Sequence, residues 1–347
     1  LRQRDILKQV ERISTVQHAG DGNMNCTLRV QTAQQSIIVK QARPWVEKYP
    51  TIPADWDRIL SEARFYLLVS TEEAVAQRMP KLLHLDADSR IMVLEDLGAA
   101  ADYTSLYGNS VFSACDVAII ASWLCQLHAL KFNKSARQSL ENRAMRQLNH
   151  EHLFVVPLDP NSNLALEQLT PGLDEAAAQL ASDATYVQAV HRLGKRYLAD
   201  GKVLLHGDFF PGSWLEHATG PRIIDPEFAH FGQPEFDLGV LLAHLYLARQ
   251  PEPVHEAVVT AYRPPAAFNV RRALQYSGVE IMRRLSGGAQ LGLGLDLRAK
   301  QNLLHLSREL VLSEDLLKSP RLLAGRQLNA LGSNDNDNGN DADARCA

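Results

Sequence analysis

His206-Gly207-Asp208-Phe209-Phe210-Pro211-Gly212-Ser213 and, shortly after it, Ile223-Ile224-Asp225-Pro226-Glu227-Phe228 form the densest polar island of the chain. Each follows a short apolar run, Val203 to Leu205 and Arg222 to Ile224, that reads as β. Asp208, Asp225 and Glu227 fall within twenty residues, and like charges at the ends of apolar strands repel unless a cation sits among them. A divalent metal resolves that repulsion. Asp225 and Glu227 are two apart, so on an extended strand they share a face and both can offer oxygen to Mg2+. Any one of these acids alone also fits a surface turn or a helix N-cap; the set in this order points to chemistry.

Around the island the pattern is helical, at Phe112 to Leu130, Ser135 to Leu148, Asp183 to Leu198, Phe236 to Arg249, Ala266 to Leu285 and Leu297 to Leu317. Upstream the texture differs. After a short helical opening, Ile13 to Gln17, Cys26 to Gln31 and Ser36 to Val39 read as a β meander. Pro50 and Pro53 break the chain, Asp55 is the expected N-cap, and Ile59, Ala63, Tyr66 and Leu67 recur at helical spacing. Lys81 to Leu85 and Ile91 to Leu94 add two β segments, and Gly98 marks a hinge. The expectation is an α+β protein of two lobes, a small β-rich one over 1–97 and a larger, mostly helical one over 98–330, with a disordered Asn/Asp/Gly-rich tail over 331–347.

The 347 residues carry 36 Lys plus Arg against 40 Asp plus Glu, a net charge of -4, so there is no positive field for a polyphosphate backbone and no nucleic acid is expected as partner. The longest apolar stretches, Val117 to Leu130 and Leu238 to Ala248, are too short to span a bilayer, and no membrane is expected. Leu1 to Asp5 does not open a signal peptide, and Cys26, Cys115, Cys125 and Cys346 lack a Cys-x-x-Cys pair, which suits free thiols. A cytoplasmic location follows as the expectation.

His206-Gly-Asp208, Asp225-Pro-Glu227, Gly232 and Asp237-Leu-Gly together resemble the catalytic and metal signature of the aminoglycoside phosphotransferase and choline kinase superfamily, small-molecule kinases with a protein-kinase-like fold. Within it, Gly212-Ser213 and Asp225-Pro226-Glu227-Phe228-Ala229 resemble the 5-methylthioribose kinases, over about Val16 to Leu316. The resemblance implies ATP and Mg2+, with Asp208 as catalytic base, Asp225 as principal metal ligand, Glu227 as a second and Ser213 as a weak or water-mediated one. Phosphoryl transfer asks mainly for positioning and charge neutralisation, which these residue types supply. His206 is expected to pack under the loop and Asp237 to accept backbone N–H groups from it.

Gly20-Asp21-Gly22-Asn23-Met24-Asn25 fits an ordinary hairpin turn and is also similar to the family's phosphate-approaching loop, which implies Gly22, Asn23 and Asn25 as nucleotide contacts. Lys40 matches the family's phosphate-contacting lysine, with Glu62 as its ion-pair partner. Met92 to Leu97 matches the connector between lobes, where the backbone of Glu95 and Leu97 meets adenine. Arg283 and Arg284 read by default as a solvated or lobe-bridging pair; the resemblance implies that they border the acceptor, holding a hydroxyl or a developing phosphate charge. Trp45 and Trp56 read as packing residues. Two departures stand out: Phe209-Phe210 replaces a common Leu-His, and Ser286-Gly287-Gly288-Ala289 differs from the usual stretch. The expected partner is a small-molecule hydroxyl substrate, methylthioribose or a related sugar, with a homodimer as an allowed assembly. An aminoglycoside or choline-type acceptor, for which Glu235 is the one nearby extra acid, and a non-catalytic nucleotide-binding role stay open.

Overall fold

The computed structural model describes residues 11–313, apart from 21–23, 163, 165 and 266. The expected helical opening, the expected tail, the last residues of the helix expected over Leu297 to Leu317, and Gly22 and Asn23 lie outside the described residues.

The first lobe is built on the antiparallel sheet of β1 (Ile13–His18), β2 (Cys26–Thr32), β3 (Ser36–Gln41), β6 (Leu82–Asp86) and β7 (Ile91–Glu95), in the order β1-β2-β3-β7-β6. Between β3 and β6 lie a hairpin of β4 (Trp45–Val46) and β5 (Tyr49–Pro53), then helices α1 (Arg58–Val69) and α2 (Glu73–Ala76). Strand alternation divides the sheet. Val30, Ile37 and Val93 make a small cluster on one face, while Ile38, Met92 and Leu94 pack with Ile59 and Ala63 of α1 in the main core. Lys40 shares the parity of Ile38, so β3 delivers its ammonium to α1. On that helix Arg58, Glu62 and Tyr66 recur every four residues and are all buried. Asp55 does not cap the helix. Its carboxylate accepts from the Asp57 N–H at 3.0 Å, and α1 starts after that turn.

The chain leaves the sheet at Glu95. Arg29 of β2 grips the next residue, Asp96, through two N–H donors at 2.8 and 3.0 Å, Ser36 adds a third donor, and Gly98 turns away at φ 87°. These charge-assisted bonds outweigh burial and hold the Asp96 carboxyl below its usual range.

The second lobe is mostly helical: α3 (Ala114–Ala129), α4 (Lys134–Gln138), α5 (Arg143–His150), α6 (Leu166–Leu169), α7 (Leu173–Ala181), α8 (Ala184–Tyr197), α9 (Glu235–Leu247), α10 (Glu252–Ala261), α11 (Val270–Ser286) and α12 (Leu297–Leu312). The polar island forms two separate ladders, β8 (Val203–Leu205) with β11 (His230–Gly232) and β9 (Trp214–Leu215) with β10 (Arg222–Ile223). One helix expected over Ser135 to Leu148 is two. Asn142 between them adopts φ 46°, because its amide is committed to the carbonyls of Glu227 and Ala229, each at 2.9 Å. The thiol expectation fails at Cys115, which is disulfide-bonded, and holds at Cys26 and Cys125. Among the described residues no helix is long and apolar enough to cross a membrane.

One core runs from α1 to α12. Trp123 of α3 ties its parts together: its ring lies parallel to Phe209 at 5.5 Å, and its indole N–H donates to the Val75 carbonyl of α2 at 3.0 Å. Trp123→Ala is therefore expected to lower the unfolding free energy by about 3–5 kcal/mol in urea titration; a loss under 1 kcal/mol contradicts this account of the core.

Candidate functional site

Lys40 is the meeting point of both lobes. Its Nζ lies 2.7 Å from Glu62 Oε1 on α1 and 2.8 Å from Asp225 Oδ1, in the loop after β10. Burial alone would lower the Lys40 ammonium. Asp225, Glu62 and Glu227 override it and hold it well above its ordinary value. Burial raises the Glu62 carboxyl despite its lysine partner.

Asp225 reaches Lys40 by an unusual backbone. Its φ is 61°, left-handed for a side chain that is not glycine, and Pro226 follows it. Asp225 and Glu227 thus do not lie on an extended strand as their spacing suggested; the positive φ turns the chain out of β geometry. Glu227 faces the first lobe instead, accepting from Asn25 Nδ2 at 2.9 Å, and burial pushes its carboxyl up to about 8.

Asn25 is in turn held by Arg58, which the sequence reading passed over. Arg58 Nε donates to Asn25 Oδ1 at 2.9 Å, and its other nitrogens donate to the carbonyls of Met24, Arg43 and Asp55 at 2.6 to 2.7 Å. A fully buried arginine at the start of α1 thereby fixes the end of the glycine-rich turn against the second lobe's acidic loop.

The Asp208 loop is fastened from below. Asp237 at the start of α9 accepts from the N–H groups of His206 at 2.7 Å and Gly207 at 3.0 Å, and contacts His128 Nε2 at 3.2 Å. Burial would raise the Asp237 carboxyl, but His128, His206 and the loop N–H groups hold it below its usual range. Burial lowers the His206 imidazole below its ordinary value; it donates Nε2–H to the Ile224 carbonyl at 2.9 Å, beside Asp225, and sits among the rings of Phe65, Trp123 and Phe209. Gly207 takes φ 88°, and a Cβ there would meet the Phe228 carbonyl oxygen at 2.2 Å. Ser213 donates its hydroxyl to the Asp208 carbonyl at 2.9 Å and offers its own carbonyl to the Ile224 N–H at 3.0 Å. The Asp208 and Asp225 loops are therefore stitched into one unit. Asn149 of α5 adds a bond to the Gly207 carbonyl at 3.3 Å.

Above Asp208 stand Arg283 and Arg284 of α11, neither solvated nor lobe-bridging but buried. Arg284 Nη2 is 3.5 Å and Arg283 Nη1 3.7 Å from Asp208 Oδ1. Burial raises the Asp208 carboxyl against the pull of both arginines. Phe210 lies over the Arg284 guanidinium at 4.6 Å, which gives the departure at that position a function in packing. Glu280 pairs with both arginines, a residue legible in retrospect from its three- and four-residue spacing to them. Glu235 is elsewhere: it accepts from the Asn269 N–H at 2.9 Å and Arg272 at 3.1 Å. Glu95 commits its N–H to the Lys81 carbonyl at 2.9 Å, whereas Trp56 stays in the first lobe, donating to the Ala42 carbonyl at 3.0 Å.

Glu62, Asp225 and Glu227 place three carboxylates around one ammonium, and Glu62 Oε2 is buried without a hydrogen-bond partner. That surplus of hard oxygen fits Mg2+. Among the described residues no group of three or more His, Cys, Asp or Glu side chains forms a ready metal cage. Mg2+ needs less, since one or two carboxylates with substrate phosphates suffice; Asp225, whose side chain keeps 42% exposure, and Glu227 offer two.

A family model described as the phosphotransferase enzyme family matches residues 15–274. A methylthioribose kinase of Exiguobacterium sibiricum is 25% identical over 257 residues, covering 69% of this chain and 62% of that protein. One of Yersinia pestis is 30% identical over 247 residues, covering 67% and 59%. The chain thus spans about three-fifths of the length of these relatives. Among solved structures, spectinomycin phosphotransferase in complex with ADP and spectinomycin aligns with a TM-score of 0.54 at 14% identity, covering 89% of this chain and 98% of that one.

Asp237→Ala strips the acceptor from two buried N–H groups and is expected to cost about 3–5 kcal/mol of stability by chemical unfolding. Because its folded pKa is depressed, the contribution is full above about pH 4 and fades as the pH falls below that. An Asp237→Ala protein as stable as its parent at pH 7 contradicts this role.

Proposed function

The chain belongs to the phosphotransferase enzyme family, and from that membership and the geometry of the cleft we propose that it is a small-molecule kinase, transferring the ATP γ-phosphate to a hydroxyl of a sugar such as methylthioribose. The observation that carries this reading is the Lys40 bridge between Glu62 and Asp225, beside a loop that presents Asp208 under two arginines. In phosphoryl transfer the protein has little covalent chemistry to perform, so fixed charges and alignment supply most of the rate.

Each residue then has a task. Lys40, kept charged by its carboxylates and held straight by Glu62, meets the nucleotide phosphates. Asn25, its amide committed to Arg58 and Glu227, anchors the end of the glycine-rich turn beside them. The Glu95 N–H is spent within the sheet, so donation to the adenine edge falls to Leu97 while Glu95 contributes through its carbonyl. Asp225 and Glu227 hold Mg2+, which supplies charge neutralisation at the phosphates. Ser213, bonded to the Asp208 carbonyl, acts by fixing the loop. Asp208 accepts the proton of the acceptor hydroxyl, a task helped by a carboxyl that burial has made more basic.

The acceptor side favours a neutral or anionic hydroxyl compound. Arg283 and Arg284 face it, Glu280 is committed to them, and Glu235 is committed to Asn269 and Arg272. A cationic amine would find its attraction to Asp208 opposed by two guanidiniums.

The test is ADP release with Mg2+-ATP across a panel of methylthioribose, other sugars, choline and aminoglycosides. Turnover is expected with the sugar class; turnover confined to amines contradicts the acceptor assignment, and none with any hydroxyl compound contradicts the kinase. Asp208→Asn should cut kcat roughly 10³-fold while nucleotide affinity persists. Because the basic form is active and its pKa is raised, the acid limb of kcat should lie above the ordinary aspartate value of about 4; a limb at or below that value speaks against Asp208 as base.

A further inference from the structure

Beneath the two arginines lies a buried chain of polar groups that the reaction scheme above does not use. Glu280 Oε1 accepts from Arg284 Nε at 2.6 Å, and both its oxygens lie 3.1 to 3.2 Å from Arg283 Nη1. Behind it, His244 Nε2 stands 3.2 Å from Glu280 Oε1, and His244 Nδ1 stands 2.6 Å from the Tyr107 hydroxyl. Burial pushes His244 down to about 4, so the ring is neutral near pH 7. Its roles are then fixed: Nε2–H donates to Glu280, and Nδ1 accepts the Tyr107 O–H. Phe210 covers the assembly, packed on Arg284 at 4.6 Å and on His244 at 5.4 Å.

Two carboxylates share the arginines unequally. Both hydrogen-bond Glu280, yet both stop short of Asp208, at 3.5 and 3.7 Å, and Asp208 Oδ1 and Arg284 Nη2 are buried without hydrogen-bond partners. The two groups thus form an ion pair without a hydrogen bond, with a donor and an acceptor left unused between them. Buried polar groups are seldom left unmade. Here the cause is a competitor. Glu280 is wholly buried, and the arginines drive its carboxyl well below the usual range against the effect of burial.

We propose that Glu280, braced by His244 and Tyr107, is a positioning residue that keeps Arg283 and Arg284 at ion-pair distance from Asp208 but out of hydrogen-bond contact, so that Asp208 Oδ1 stays free to accept from the acceptor hydroxyl. The proposal rests on the kinase reading. Without the Glu280 charge, Asp208 becomes the nearest carboxylate to both guanidiniums. They then hydrogen-bond it directly, and the acceptor has to displace those bonds before it can lose its proton.

Charge and shape separate in two variants. Glu280→Gln keeps the shape and loses the charge; Glu280→Asp keeps the charge and shortens the reach. Positioning by charge predicts that Glu280→Gln lowers kcat about 100-fold while Glu280→Asp stays within about tenfold of the parent, with the KM for ATP unchanged in both. The reverse ranking marks Glu280 as packing only and overturns the proposal. Should Glu280→Gln fail to fold, Tyr107→Phe removes just the hydroxyl bonded to His244; about fivefold lower kcat at unchanged KM for ATP supports the brace, and an unchanged kcat overturns it. The parent protein run alongside keeps the two ideas apart. Its inactivity on every hydroxyl compound sinks the kinase reading, whereas an active parent with the wrong variant ranking sinks only the role of Glu280.

Discussion

The arrangement depends on one ammonium with two carboxylates. Lys40 comes from a strand, Glu62 from a helix packed on that strand's face, and Asp225 from a loop in the other lobe, so the pairing closes only when three separate elements are in register. A buried ion pair of this kind is a poor source of stability, because desolvation consumes most of the Coulombic gain. Its value lies in specification: a partner removed would leave an uncompensated buried charge, and few other alignments of the lobes satisfy all three groups. The second lobe repeats the device, with Asp237 gathering the loop N–H groups and Glu280 gathering two arginines.

What the sequence made legible was whatever has a short-range signature. The strands of the first sheet, the long helices of the second lobe and the two acidic loops follow from periodicity and from residues adjacent in the chain. Lys40 and Glu62 could be paired because the family resemblance implies the pair; strand and helix spacing fix only the faces that carry them. Arg58 was missed because nothing near it in sequence announces a partner; its contacts are carbonyls that assemble only on folding. Asn142 was hidden by a helical pattern that its own side chain interrupts. His244 lies inside an apolar helix, where a histidine ordinarily reads as filler, and its meaning depends on Tyr107 and Glu280, each far away in the chain.

The departures from the family pattern find places in the same physics. Phe209 fills the space between Trp123, His206 and Trp214, while Phe210 turns the other way and lies on Arg284. Adjacent, identical residues thus serve opposite sides of one loop, one supporting it and the other shaping the ground where an acceptor would rest. Burying the guanidinium under an aromatic face strengthens its electrostatic reach, because less water competes for it.

The left-handed turn at Asp225 carries a consequence for how that position is interrogated. A carboxylate preceding a proline at φ 61° is chosen twice, by what its oxygens touch and by what its main chain tolerates. Asparagine also tolerates this conformation and differs chiefly in charge, whereas alanine disturbs charge and main chain together. A deficit produced by alanine here would blend two quantities, and only the amide replacement isolates the electrostatic one.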